Sequence, residues 1–271
     1  MSAVLTAQEP SAKYLVNLQP PLVRHFDLIA QAPGGVARLR ELILTLSVQG
    51  KLVPQDPSDE PASELLKKIR DEKDRLIAEG KIKRDKPFAE IADEEKSFEL
   101  PAGWEWVRLG ELVNLTYGKN LPTSSLTDDG FQVFGANGVI GRYSQYLYED
   151  EQLLISCRGA YSGKPNVSPQ KCFVTNNSIV CEFFVRSMVD LGFFYRQLQI
   201  TDKSRLVTGS AQPQVTIANA DPLILVVPPL AEQSRIVTRV NELHALCAEL
   251  RVRLTASQLT QSHLADALVA Q

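Results

Sequence analysis

The sequence predicts an α+β protein in which one mixed, β-rich domain is flanked by N-terminal helices and a long C-terminal coiled-coil helix. Apolar residues recur at helical spacing before residue 80 and again after residue 230. Between these stretches, short β-rich pieces alternate with turns of Gly, Asn, Asp and Ser. We therefore expect three parts, an N-terminal helical part over residues 1–96, a β-rich domain over 97–229 and a C-terminal helix over 230–271.

The N-terminal part is predicted to begin with a lead-in, residues 1–35, that proline and glycine punctuate. A first helix follows, because four apolar residues are spaced along one face and Gly50 is placed to end it. These residues are Leu39, Leu42, Ile43 and Leu46. A second, amphipathic helix is predicted from about Ala62 to Glu79, with Gly80 as its stop. The charged stretch KIKRDKPFAEIADEEK that comes next is typical of a solvated connection.

The β-rich domain is predicted from short apolar pieces bounded by turn residues. These pieces are WEWVRL, FQVFG, QLLISC, CFVT, SIVCEFFV and LILVV. One helix, in MVDLGFFYRQLQI, should interrupt them, since Leu191, Phe194, Tyr195 and Leu198 share a helical face. The domain is therefore expected to be mixed and compact.

The C-terminal stretch has the most regular pattern in the chain. Apolar residues alternate four and three positions apart at Ile236, Val240, Leu243, Cys247, Leu250 and Leu254. The register continues through Ser257 and Gln261 to Leu264 and Leu268. A helix of about 40 residues, roughly 60 Å long, would result. Such heptad spacing favours pairing with a second helix, and a helix packed on its own domain is the alternative.

Composition excludes some classes of protein and leaves the partner open. The chain carries 29 basic and 32 acidic residues, a formal charge of −3, which does not by itself indicate DNA binding. If it contacts phosphates, its basic residues must be concentrated on one surface. No apolar run approaches the roughly 20 residues of a membrane-spanning helix. The N-terminus does not resemble a secretory signal either, so we expect a cytoplasmic protein.

The sequence contains no convincing catalytic or metal site. The Asn/Asp-Pro-Pro-aromatic loop of DNA amino-methyltransferases is missing. Residues 159–164 look like a phosphate loop, but the loop is one residue short and Pro165 stands where Ser or Thr would bind magnesium. Glu94 and Lys96 could supply part of a nuclease motif, but they lie in the charged connection. A stand-alone nuclease or methyltransferase is therefore disfavoured.

The cysteines and histidines point the same way. The four cysteines are Cys157, Cys172, Cys181 and Cys247, and neither a CxxC pair nor a histidine at ligand spacing accompanies them. We expect buried free thiols and no zinc. The three histidines, His25, His244 and His263, belong to no recognisable triad. This lack of catalytic groups favours a binding role.

Three stretches together resemble the specificity subunit, HsdS, of type I restriction-modification enzymes. The first runs from Leu39 to Leu76 and includes the GKLVPQ turn and the EPASELL helix start. The second, LPAGWEWVRLGELVNLTYGKN from Leu100 to Asn120, is similar to the opening of a recognition domain. The third combines TGSAQPQVT with VVPPLAEQSRIVTRVNEL and resembles the end of that domain and the start of a spacer helix.

The resemblance implies a subunit that recognises double-stranded DNA and has no cofactor of its own. S-adenosylmethionine would belong to methyltransferase subunits, and ATP and Mg²⁺ to restriction subunits. Specificity subunits of this family usually hold two recognition domains, whereas this sequence shows one. A homodimer, pairing with a second half-subunit and a truncated remnant all remain open. The alternative function is a degenerate scaffold that docks the methyltransferase without recognising DNA.

The predicted DNA contacts are polar side chains at glycine-flanked turns of the β-rich domain, because base edges are recognised by hydrogen-bond donors and acceptors. The first group, Arg158, Tyr161 and Lys164, lies in the basic turn SCRGAYSGK, for which an ordinary surface hairpin is the alternative. The second group comprises Tyr117, Lys119, Asn120, Asn137 and Arg142. The third comprises Lys203, Arg205, Ser210, Gln212 and Gln214.

Overall fold

A computed structural model describes residues 32–84, 86–209 and 212–269 of the chain. Most of the predicted lead-in, with His25, lies outside these residues. The chain divides into two compact units: one spans Ile43–Asn241, and the other joins residues up to Leu42 to residues from Glu242 onward. The predicted α+β class is confirmed, with sheets, N-terminal helices and a long C-terminal helix.

The helices and strands follow one another in a mixed order. The helices are α1 (Gly35–Val48), α2 (Ala62–Ala78), α3 (Leu109–Leu112), α4 (Leu191–Ile200), α5 (Ile217–Ala220) and α6 (Leu230–Val269). The strands are β1 (Glu105–Arg108), β2 (Val113–Tyr117), β3 (Phe131–Phe134), β4 (Val139–Tyr143), β5 (Leu153–Ser156), β6 (Pro165–Val167), β7 (Phe173–Val174), β8 (Ser178–Phe183) and β9 (Ile224–Val227).

Glycines end both N-terminal helices, as the sequence predicts. Gly50 has a φ of +67° and Gly80 a φ of +70°, a left-handed conformation that other residues rarely adopt. At Gly50 space is also limiting, since a Cβ would lie 2.3 Å from Cγ of Pro101. The apolar face of α2 is buried and consists of Ala62, Leu65, Leu66 and Ile69. These two helices therefore form where periodicity and stop signals agree.

The central sheet has the strand order β2-β8-β5-β6, and every neighbouring pair is antiparallel. Tyr117 pairs with Ile179, Ser156 with Ser178, and Ile155 with Pro165. The carboxyl ends of β2 and β5 therefore meet the amino ends of β6 and β8. As a result, the loops that follow β2 and β5 and the loops that precede β6 and β8 share one edge of the sheet.

Two smaller sheets complete the larger unit. In one, β1 pairs antiparallel with β9; in the other, β3 lies between antiparallel β4 and parallel β7. Strand β7 is connected to β8 by only three residues, so its carboxyl end lies next to the start of β8. Because β3 runs parallel to β7, the carboxyl end of β3 lies at this same edge of the central sheet. This position is fixed by a hydrogen bond from the Thr175 N–H to the Phe134 carbonyl, 2.9 Å long.

All six predicted pieces contain a strand, but β2, β4 and β6 are absent from that prediction. Exposed residues dominate β4, and β6 begins with Pro165, so neither has the apolar pattern of a core strand. The helix predicted in MVDLGFFYRQLQI is α4, which begins after Asp190. The Asp190 carboxylate accepts a hydrogen bond from the Gly192 N–H at 2.9 Å and so caps that helix.

The C-terminal helix α6 has 40 residues, the length that the sequence predicts. Its first turns belong to the core of the larger unit, where Ile236 and Val240 are fully buried together with Phe193, Phe194 and Leu225. All four cysteines are buried free thiols, as expected from the sequence. The start of α6 is therefore built into the same core as the β-rich part.

Candidate nucleic-acid interface

Five loop segments meet at one edge of the central sheet, and we call this surface the loop edge. The segments are residues 117–120, 135–138, 157–164, 175–177 and 212–216. They come from distant parts of the sequence, and the strand pairing described above brings them together. The loop edge therefore offers a single surface built from turns.

The segment 175–177 connects the loop after β2 to the loop after β5. The Lys119 N–H donates to the Val174 carbonyl at 2.9 Å, and the Asn176 N–H donates to the Lys119 carbonyl at 3.1 Å. On the other side, the Cys157 N–H donates to the Asn177 carbonyl at 2.9 Å. Backbone hydrogen bonds thus hold residues 175–177 on both sides, in the middle of the loop edge.

The turn 157–164 is held by the segment 212–216. The Val215 N–H donates to the Cys157 carbonyl at 3.0 Å, and the Ser162 hydroxyl donates to the Pro213 carbonyl at 2.7 Å. Burial raises the pKa of the Cys157 thiol, so this group stays protonated at neutral pH. The basic turn is therefore fixed at its base, while Arg158 and Tyr161 remain exposed.

The turn 135–138 is attached through two buried serines of the central sheet. The Ser178 hydroxyl donates to the Gly135 carbonyl at 2.9 Å, and the Ser156 hydroxyl donates to the Ala136 carbonyl. Asn166 also donates its side-chain amide to the Ser156 hydroxyl at 3.1 Å. These contacts join the β3–β4 hairpin to the end of β5 and complete the loop edge.

Most of the sequence-predicted DNA contacts lie on the loop edge. They are Tyr117, Lys119, Asn120, Asn137, Arg158, Tyr161, Lys164, Gln212 and Gln214. Lys203 lies beside the same surface, since a Cβ at Gly163 would be 3.6 Å from Cγ of Lys203. The structure therefore places members of all three predicted groups at or beside the same edge of the sheet.

The remaining predicted contacts lie elsewhere. Arg142 lies on β4, where it pairs with Gln132 of β3 and donates to the Gly130 carbonyl at 2.7 Å, at the end of the hairpin away from its turn. Arg205 borders a groove with Phe98 and Trp106. Ser210 lies outside the described residues. The structure therefore does not bring Arg142 and Arg205 to the loop edge.

Charge is separated along the central sheet. None of the residues in the five segments of the loop edge is acidic, whereas Lys119, Arg158 and Lys164 are basic. Within the described part of the chain these three cations form no ion pair. A chain with a net charge of −3 thus presents one edge that carries only positive charge.

The opposite edge of the same sheet is acidic. Glu149, Asp150 and Glu151 lie just before β5, at the start of the strand that ends at the basic turn. Only Glu149 of the three forms an ion pair in the described residues, with Lys171. Close by, the Tyr148 hydroxyl donates to Oε1 of Glu182 at 3.0 Å, and burial raises the pKa of Tyr148 to about 12. The sheet therefore has a positive and a negative end.

Exposed apolar side chains accompany the basic ones. Tyr117 and Tyr161 are 44% and 51% exposed, and Val139 and Ile140, just after the turn 135–138, are 47% and 52% exposed. The Nζ atom of Lys164 lies 5.5 Å from the centroid of the Tyr161 ring. Basic groups with interleaved aromatic and aliphatic side chains suit a surface that contacts phosphates and base edges together.

Two buried polar atoms at the loop edge lack a partner. Among the residues that the structure describes, the buried side-chain oxygens without a hydrogen bond are Oδ1 of Asn137 and Oγ1 of Thr175. Leaving such an atom unpaired costs about 1–3 kcal/mol. Both belong to segments of the loop edge. The two unpaired atoms therefore lower the stability of the folded chain in this region.

The predicted pairing positions of α6 fall into two groups. Ile236 and Val240 are buried in the larger unit's own core, and Cys247 is also buried. Leu243, Leu250 and Leu254 are half-buried, whereas Leu264 and Leu268, which continue the same register, are exposed. The part of the seam that is open to a second helix therefore begins beyond Cys247.

Over residues 32–84, 86–209 and 212–269, no group of three or more His, Cys, Asp or Glu side chains is arranged to hold a metal ion. Nor does any helix in these ranges combine the length and apolar character needed to cross a membrane.

The chain thus combines a β-rich domain, whose loop edge carries only positive charge, with a long helical extension. The chain belongs to the family of type I restriction modification DNA specificity domains, whose family model matches residues 101–257. This region covers nearly all of the β-rich domain and the first 28 of the 40 residues of α6. The resemblance seen in the sequence is therefore confirmed.

The chain is similar to two specificity subunits from Escherichia coli. It is 32% identical over 277 residues to that of the type I restriction enzyme EcoAI, covering 90% of this chain and 46% of the relative. It is 30% identical over 301 residues to that of EcoEI, covering 98% of this chain and 50% of the relative. The chain thus spans about half the length of these curated relatives.

A chain from a solved structure of the type I R-M system, described by its complex assembly and conformational transition, has a similar fold. The TM-score is 0.52 with 20% sequence identity, and the match covers 93% of this chain and 59% of that chain. This likeness concerns the fold alone.

Some residues of the loop edge are absent from the sequence-based prediction. Asn176 and Asn177 lie at its centre, and Val139 and Ile140 at its rim. The dipeptide of amides between the predicted strand pieces CFVT and SIVCEFFV is a signal that could have pointed to the first pair.

Proposed function

We propose that this chain is a DNA-recognising specificity subunit of a type I restriction-modification complex, and that the loop edge contacts one half of a bipartite target. The observation that carries this proposal is the concentration of unpaired basic groups at an edge without acidic residues. Phosphates require positive charge, and base edges require donors and acceptors, which the amides and guanidinium of this edge supply. Residues 97–229 would then be the recognition domain.

The proposal assigns the chemistry to partner subunits. Methyltransferase subunits would bring S-adenosylmethionine, and restriction subunits would bring ATP and Mg²⁺, so that this chain directs them to the target and catalyses nothing itself. Its family membership and the names of its relatives as specificity subunits support this division. Such a complex would work on DNA in the cytoplasm.

The proposed assembly is a homodimer through the distal part of α6. One recognition domain contacts one half-site, so two copies related by two-fold symmetry would recognise two inverted, identical halves. The distal seam, Leu250, Leu254, Leu264 and Leu268, offers apolar positions at coiled-coil spacing for this pairing. The helix would then set the distance between the halves.

Methylome sequencing tests the proposal in cells that carry the chain together with a type I methyltransferase subunit. We expect a new methylated motif with two inverted halves, absent from cells that lack the chain. Changing Lys119, Arg158 and Lys164 together to alanine should abolish the motif. The matched control changes Lys171, Arg251 and Arg253 to alanine, which removes as much positive charge away from the loop edge.

Three results would contradict the proposal or part of it. No motif in the presence of the wild-type chain, with the methyltransferase still bound to it, indicates a scaffold that does not recognise DNA. Equal loss of the motif in both triple variants would show that the loop edge has no special role. A motif with two different halves would reject the homodimer and favour pairing with a second half-subunit.

A further inference from the structure

The centre of the loop edge is occupied by two adjacent asparagines that the sequence-based prediction omits. We propose that Asn176 and Asn177 are specificity-determining residues whose side-chain amides recognise an A·T base pair in the major groove. This inference rests on the proposed function and extends it to particular residues and a particular base pair.

The backbone of both residues is fixed on two sides. The Asn176 N–H donates to the Lys119 carbonyl at 3.1 Å, and its own carbonyl faces Sγ of Cys157 at 3.4 Å. The Asn177 carbonyl accepts from the Cys157 N–H at 2.9 Å. Lys119 forms one of these contacts, and Arg158 directly follows Cys157, which forms the others. The two basic residues therefore lie on either side of the asparagines.

The side chains, in contrast, are uncommitted. Within residues 32–84, 86–209 and 212–269, neither the Asn176 amide nor the Asn177 amide forms a hydrogen bond, and both residues are only half-buried. Asn166, Asn219 and Asn241 differ, since their amides bond to Ser156, Thr216 and Arg196. Those three amides are engaged in holding the structure together, whereas Asn176 and Asn177 leave theirs available to a ligand.

The neighbouring residue adds an independent observation. Thr175 is only 3% exposed, and its Oγ1 has no hydrogen-bond partner among the described residues. Gly118 lies directly against it, because a Cβ there would be 2.3 Å from the Thr175 carbonyl oxygen. The segment 175–177 is thus tightly packed against Gly118 and contains a buried hydroxyl without a hydrogen-bond partner. Such an atom lowers the stability of the fold, so its presence here is not explained by stability.

The chemistry of an amide selects the base. An asparagine side chain presents one donor group and one acceptor side by side, which matches N7 and N6–H₂ of adenine in the major groove. A phosphate would use the donor only, and a basic side chain would serve it better. Because the backbone is already fixed, little backbone conformational entropy is lost when the amides bind.

Selection from a library of randomised DNA duplexes tests the inference, because the target sequence emerges from the selection itself. The full chain is incubated with the library, and retained duplexes are sequenced for the wild type and for Asn176→Ala, Asn177→Ala, Asn176→Asp and Asn177→Asp. We expect the alanine variants to lose the A·T preference at one base pair, by on the order of 5- to 150-fold. A carboxylate accepts from cytosine N4, so aspartate should shift that preference toward C·G.

The matched control is Asn114→Ala. Asn114 is half-buried on the same sheet, but it pairs with Glu182 near the acidic end. This variant should select the wild-type motif. Thermal melting of each variant verifies that the chain is folded, and the base switch of the aspartate variants is a readout that unfolding does not produce.

The outcomes separate the inference from the function on which it rests. A wild-type motif that all asparagine variants reproduce overturns the inference and leaves DNA recognition intact. Uniform weakening without a change at any single base pair overturns it as well, because that pattern belongs to phosphate contacts. Failure of the wild-type chain to enrich any motif contradicts both proposals.

Discussion

The indole N–H of Trp104 donates a hydrogen bond to Oε2 of Glu232 at 2.9 Å in the interior of the larger unit. The amide of Gln55 donates to the other carboxylate oxygen, Oε1, at 3.2 Å. Gln55 belongs to the GKLVPQ turn, Trp104 to the entrance of the β-rich domain and Glu232 to the first turn of α6. The three stretches that carry the family resemblance therefore meet at one carboxylate.

This contact predicts the stability of a Glu232→Ala variant. Removing the carboxylate leaves the buried Trp104 N–H without a partner, at a cost of about 1–3 kcal/mol. Urea unfolding should show the loss in the free energy of unfolding, with Glu249→Ala as the control because Glu249 lies on the exposed surface of the same helix. Equal stability of the two variants would mean that the contact contributes nothing.

The same carboxylate predicts a dependence of stability on pH. Burial raises the pKa of Glu232 above its usual value of 4.5, so the folded chain binds this proton more tightly than the unfolded chain does. Its contribution is therefore fully present below pH 4.5 and is lost as the pH rises through the folded pKa. Glutamine does not ionise, so the free energy of unfolding of Glu232→Gln should increase relative to that of the wild type as the pH rises from 4 to 7. If the difference in free energy of unfolding between the two proteins stays constant over this range, the pKa shift is contradicted.

Local pattern was sufficient to predict the four longer helices, α1, α2, α4 and α6, and most of the core strands, but not the four-residue helices α3 and α5. Gly50 and Gly80 mark helix ends because the chain has a positive φ there, which glycine adopts readily, and α6 follows from a spacing repeated from Ile236 to Leu268, about nine turns. Strand β4 escaped prediction because its exposed residues carry no apolar alternation. Such a strand forms through pairing with β3 across the turn 135–138, and the exposed strand of a hairpin shows no apolar pattern by which the sequence could reveal it.

The loop edge was predicted as three separate groups of residues, since sequence alone does not indicate which turns meet. Arg158 and Glu151 are seven residues apart, yet strand β5 places them at opposite ends of the sheet. The net charge of −3 is a sum over both ends, so it does not reveal that one end is basic. Asn176 was missed for a related reason: its importance depends on hydrogen bonds to Lys119 and Cys157, both distant in sequence.

Arg158→Ala is expected to weaken specific DNA binding. Arg158 is exposed near the fixed base of the turn 157–164, where its guanidinium could form a bidentate contact with guanine worth about 1–3 kcal/mol. Fluorescence polarisation with the target duplex measures the change. Arg251→Ala serves as the control, because Arg251 is an exposed arginine on α6, away from the loop edge. Unchanged affinity in the Arg158 variant would remove this residue from the interface.

Lys164→Ala should change the salt dependence of binding. The Nζ atom of Lys164 lies over the Tyr161 ring and forms no ion pair within the described ranges, so it is suited to a phosphate. The slope of log K against log [salt] should fall in magnitude by about 1, with similar losses on specific and nonspecific duplexes. Lys171→Ala, at the acidic end beside Glu149, should keep the slope. Identical slopes for both variants would exclude the phosphate contact.

Leu264→Asp is expected to dissociate the proposed dimer. Leu264 continues the heptad register of α6, so a carboxylate there would be buried without a partner in a helix pair, which is strongly destabilising. Leu259→Asp is the matched control, because Leu259 lies on the same helix outside the register and the two leucines, Leu259 and Leu264, are 56% and 61% exposed. Light scattering after size-exclusion chromatography should give half the wild-type mass for the Leu264 variant and the wild-type mass for the Leu259 variant. Two variants of equal mass would show that the seam does not mediate pairing.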